Sequence, residues 1–99
     1  MPSPPEIVTA KPDNCGTAIF VEWNSQHNRH ELQLDMTNGR TGRVVYDESV
    51  PPYMHFFDGL KSNTIYEVRI RVNNAKGLTG SWARKQIKTV AGTVMFTDS

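Results

Sequence analysis

The chain has 99 residues, with Lys plus Arg 11 against Asp plus Glu 10, a formal charge of +1 with histidine neutral. That length supports one small domain, and the near-zero balance leaves no sequence-wide basic footprint for nucleic acid or anionic lipid. No apolar run approaches the roughly 20 residues of a membrane-spanning helix, so no direct membrane insertion is expected.

Nine Val, five Ile and nine Thr stand against four Leu and five Ala. β-Branched residues fit a pleated surface better than a helix, so the bias favours strands. Pro2, Pro4 and Pro5 form an extended lead-in over residues 1–5. Strands are then predicted over 6–11, 17–23, 30–36, 43–47, 53–58, 65–73 and 84–89, with proline and glycine confined to the breaks. In the second, Ile19, Val21 and Trp23 share one face. In the third, Leu32, Leu34 and Met36 oppose Glu31, Gln33 and Asp35. In the sixth, Tyr66, Val68, Ile70 and Val72 oppose Glu67, Arg69, Arg71 and Asn73. Such alternation buries one face and wets the other. Seven short strands with frequent turns predict an all-β, seven-stranded antiparallel β-sandwich.

Cys15 is the single cysteine, so no internal disulfide forms, and no Asn-x-Ser/Thr sequon occurs. Both features lean towards a reducing compartment. Met1-Pro2-Ser3-Pro4-Pro5 has no signal-peptide pattern and suits the start of a fragment of a larger protein.

Four motifs in order resemble a fibronectin type III domain of the immunoglobulin-like superfamily. They are Ile19-x-Val21-x-Trp23; Gly59-Leu60 followed by Tyr66; Tyr66-x-Val68-x-Ile70-x-Val72-x-Asn74-x-x-Gly77; and Ser81 with a terminal Thr89. The resemblance spans residues 5–89, with the domain proper over 6–89 and a tail or linker over 90–99. It implies that Trp23 is the core tryptophan, that Leu60 plugs one end, and that Tyr66 forms a tyrosine corner. It also implies a non-catalytic module. The sequence departs from the family at Asn63, often proline there, and at His30, where Tyr is common. Lys85 falls near an inward position of the last strand, so a bulge or register shift is expected there. Val94-Met95-Phe96 lies beyond the family boundary as linker, added strand or part of a following segment.

Chemistry-bearing motifs are missing. His27, His30, His55 and Cys15 have no metal-ligand spacing, and His27 and His30 are expected to be exposed loop histidines. There is no Gly-x-Ser-x-Gly, His-Glu-x-x-His or phosphate-cradling loop. No catalytic residue, metal or cofactor is therefore expected, and function falls to a surface.

Three surfaces are candidates. The alternation points Phe20, Met54 and Phe56 outward on strands that neighbour each other in this fold. They form either a contact site, a cross-strand pair that stabilises the sheet, or a face covered by the apolar tail. Arg69 and Arg71, with Trp82 in the following turn, are similar to the arginine–tryptophan ladder of cytokine-receptor domains. Gly80-Ser81-Trp82-Ala83-Arg84 carries one tryptophan without that subclass's repeat. Glu31 and Asp35 are the expected partners of these arginines, which makes a solvated, salt-bridged face the plainer reading. The loop 37–43 suits a tight turn at Asn38-Gly39, and Arg40 and Arg43 suit an acidic partner. It lacks Arg-Gly-Asp.

The expectation is a protein-protein interaction module of a multidomain protein, with an unidentified protein partner and weak self-association through the Phe20/Phe56 face. A passive spacer, or an accessory domain positioning a catalytic neighbour, is the alternative. The resemblance favours a receptor or cell-adhesion ectodomain. Cys15 and the missing sequons lean to an intracellular scaffold such as a ubiquitin-ligase, cytoskeletal or muscle protein.

Overall fold

Period-2 patterning resolves into two packed sheets. The computed structural model describes residues 3–36, 43–48, 51–73 and 79–91. Its strands are β1 Glu6–Pro12, β2 Ile19–Asn24, β3 Arg29–Met36, β4 Arg43–Glu48, β5 Tyr53–Phe57, β6 Ile65–Val72 and β7 Ala83–Lys88. One sheet has the order β1-β2-β5 and the other β4-β3-β6-β7. All pairings are antiparallel. This is the predicted all-β sandwich, with strand ends shifted by one or two residues.

The latest start, at Ile19 rather than Thr17, has a local cause. Asp13 Oδ1 accepts from the amides of Cys15, Gly16, Thr17 and Ala18 at 3.0–3.3 Å. One carboxylate thus gathers into a turn the donors that the strand would otherwise use. Gly16 is required there: its φ is +78°, and a Cβ would lie 2.6 Å from the Val90 carbonyl oxygen.

Between the sheets lie Ile19, Val21, Trp23, Leu32, Leu34, Tyr53, Phe57, Leu60, Tyr66, Val68, Ile70 and Ile87. Trp23 is fully buried and Tyr66 nearly so. The Tyr66 hydroxyl accepts from the Lys61 amide at 2.8 Å, the bond of a tyrosine corner. The Leu60 amide donates to the Thr17 carbonyl at 2.8 Å, seating the leucine over the end of the core.

Two sequence expectations are corrected. His30 is not an exposed loop residue but is fully buried in β3. It is in phase with Leu32 and Leu34, so its ring points inward, 4.9 Å from Tyr53 and 5.6 Å from Trp23 in edge-on contacts. Lys85 produces no bulge: β6 and β7 pair without a shift from Ile65↔Lys88 to Ile70↔Ala83. Lys85 lies opposite inward-facing Val68 yet is exposed, because an edge strand lets a long side chain carry its ammonium to water. The register shift occurs instead in β1, between Ile7 and Thr9.

Candidate functional site

The outer face of the three-stranded sheet is built by β2 and β5. Ile19↔Phe57, Val21↔His55 and Trp23↔Tyr53 alternate with Phe20↔Phe56 and Glu22↔Met54. Tyr53 and Phe57 are buried, so Met54 and Phe56 must point out; they are 46% and 56% exposed. Phe20 is half-buried, its ring edge-on to Phe56 at 5.9 Å. These three, with His55, frame a shallow apolar depression. The cross-strand aromatic pair and the exposed patch are thus one feature: Phe20 supports Phe56, and Phe56 and Met54 meet solvent.

The outer face of the four-stranded sheet is built on charge. β3 and β6 place Glu31 opposite Arg71, Gln33 opposite Arg69 and Asp35 opposite Glu67. Arg71 donates from Nε and Nη2 to Glu31 Oε1 at 3.0 and 2.8 Å. Asn73 Nδ2 donates to the same oxygen at 2.9 Å, and Gln33 Nε2 to Oε2 at 3.0 Å. Arg71 Cζ lies 4.3 Å from the Trp82 ring centroid, a cation–π distance. Covered this way, Glu31 is buried although it points away from the core. Burial pushes its carboxyl up, but the hydrogen bonds from Arg71, Asn73 and Gln33 and the Arg71 charge outweigh that. They hold it below its ordinary value of 4.5. Arg69 is ion-paired with Asp35 and has Glu67 Oε1 3.4 Å from its Nε. Those carboxylates offset the like charge of Arg84 directly across on β7.

The structure therefore brings Phe20, Met54 and Phe56 together on one sheet and Arg69, Arg71 and Trp82 on the other. Arg40 and the rest of the loop 37–42 lie outside the described residues, as do Asn74, Gly77 and the apolar segment 94–96. Arg43 opens β4. Sequence reasoning missed two participants, Asn73 and Gln33, which complete the shell around Glu31. Their signal was present: both share the outward phase of their strands. Among the described residues, no three His, Cys, Asp or Glu side chains are grouped to hold a metal ion. A cleft of about 350 Å³ opens between the lead-in at Ser3 and the β2–β3 turn at Asn24–His27. Its lining side chains are not a nucleophile–base pair or a converging set of acids.

No protein-family model matches the sequence, and none of the curated proteins does. Solved structures do. The fifth fibronectin type III domain of Drosophila Lar matches with a TM-score of 0.69 at 22% identity, covering 93% of this chain and 100% of that one. The third fibronectin III domain of the human KIAA0343 protein matches with a TM-score of 0.75 at 17% identity, over 99% and 90%. The FN1–FN3 domains of chicken CNTN1 match with a TM-score of 0.77 at 18% identity, over 91% of this chain and 31% of that one. Likeness at such identities is a statement about architecture, and it agrees with the two sheets, the buried Trp23 and the tyrosine corner: the chain folds as a fibronectin type III domain.

Proposed function

We propose that this domain is a non-catalytic protein-interaction module of a larger multidomain protein, and that its contact surface is the outer face of β2 and β5. The observation that carries the reading is the grouping of Phe20, Met54 and Phe56, with Met54 and Phe56 about half exposed. Scattered exposed apolar residues need no explanation, whereas a contiguous aromatic group suits an interface core. The opposite sheet supports the division of labour. Its arginines are engaged by Glu31 and Asp35, so that face already satisfies itself. The same self-satisfaction favours the second reading, a spacer that presents both sheets passively.

The test places a photo-crosslinking side chain at Met54 in the protein that carries this domain. The module reading expects a defined crosslinked protein that disappears in the Phe20→Ser/Phe56→Ser double variant, with the unfolding transition still cooperative. No crosslinked species from the intact patch leaves the spacer.

A further inference from the structure

A sandwich with two open sheets has four edge strands, here β1 and β5 in one sheet and β4 and β7 in the other. An exposed edge is a template for another chain, and natural sheets guard it with charge, proline or a bulge. β1 carries Glu6, Lys11 and Pro12 and a register shift. β4 contains Arg43, Asp47 and Glu48 in its sequence. β7 carries Arg84, Lys85 and Lys88, with Lys85 on the inward phase. β5 is Tyr53-Met54-His55-Phe56-Phe57, without a charge, a proline or a shift. It pairs with β2 on one side and with no other described strand.

We infer that the occupant of this edge is a second copy of the chain, joined β5 to β5 in antiparallel register about His55. The inference rests on the interaction-module reading and names its partner. The sequence of β5 is complementary to itself in that arrangement. Tyr53 meets Phe57, His55 meets His55, and Met54 meets Phe56, so inward residues face inward residues and the exposed pair faces its own image. On the outer surface the row Phe20–Phe56 of one copy continues into Met54 of the other, and the two-fold axis repeats it. A shift of two residues either way puts Pro52 or Asp58 into the pairing, a missing donor or a charge opposite an apolar side chain. The two guards that β5 lacks thus sit just outside it and fix the register. Five residues a side are far fewer than the roughly 20–30 of a standard stable interface, so the association is weak and concentration-dependent.

Sedimentation equilibrium of the intact chain under reducing conditions tests this, run from about 20 µM to about 1 mM, where so small a contact associates. The weight-average mass should climb towards twice the monomer, and Phe56→Lys should hold it at the monomer. Register is read by cysteine pairing in a Cys15→Ser background. Mixed Met54→Cys and Phe56→Cys chains should give a crosslinked heterodimer several-fold in excess of either homodimer. A monomer at the highest concentration overturns the inference, and so does preferential crosslinking of Phe20→Cys chains to each other, which reports face-to-face stacking. Either result leaves the module reading to the Met54 photo-crosslink, where a foreign protein is told from a second copy by mass.

Discussion

Glu31 and Arg71 form a two-donor contact on a single carboxylate oxygen, at 3.0 and 2.8 Å, on the face of the sandwich that points away from the core. The carboxylate is buried because the Arg71–Trp82 stack lies over it. A carboxyl whose folded value lies below its unfolded one binds fewer protons when folded. Its contribution is full above the unfolded value and is lost as pH falls through the folded one. Wild type should therefore exceed Glu31→Gln in stability at neutral pH, and the gap should close as pH drops below the ordinary 4.5. Chemical denaturation of both chains across that range checks it; a gap independent of pH refutes it.

Arg71→Met tests the same contact from the other side. It leaves Glu31 buried with only Asn73 and Gln33 as donors. The loss of charged hydrogen bonds should cost about 1.5–3 kcal/mol. The double variant Glu31→Met/Arg71→Met should recover part of it, because no uncompensated charge remains. Denaturant midpoints of the three chains give the comparison.

The tyrosine corner makes a separable prediction. Tyr66→Phe keeps the buried ring but removes the acceptor of the Lys61 amide. The expected cost is about 1–2 kcal/mol with an unchanged denaturant slope. For a domain of this size each kcal/mol corresponds to a drop of about 4–8 °C in Tm. Trp23→Ala, at a fully buried position stacked on Tyr53 at 6.0 Å, should cost about 3–5 kcal/mol. An unchanged midpoint in that variant would sink the core assignment.

What the sequence made legible was everything governed by phase. Trp23, Tyr66, Val68 and Ile70 could be assigned to the core, and Phe56 and Arg71 to the outside, because pleating leaves two choices per residue. His30 was equally in phase with Leu32 and Leu34; its residue type, polar and titratable, argued against an inside position that aromatic neighbours make tolerable. Glu31 shows the converse. Its outward phase was readable, but its burial depends on Arg71 forty positions away and on Trp82 beyond it. The shift in β1 depends on how that strand meets β2, and the late start of β2 on one side-chain oxygen of Asp13. Pairings of that kind leave no periodic trace.

Asn63 gives the sharpest test of a departure from the fibronectin type III pattern. Its φ is +53°, and its amide donates to the Val90 carbonyl at 3.0 Å. Proline, the residue often found there in the resembling family, can adopt neither that φ nor that donor role. Asn63→Pro should destabilise by well over 1 kcal/mol, whereas Asn63→Gly should be nearly neutral, since glycine accepts positive φ. The Val90 carbonyl is also the atom that a Cβ on Gly16 would strike at 2.6 Å. Gly16→Ala should therefore destabilise as well. Because both changes displace one carbonyl, their combination should cost less than the sum of the two. Thermal melts of the single and double variants decide it: strict additivity would mean that Asn63 and Gly16 do not act through Val90.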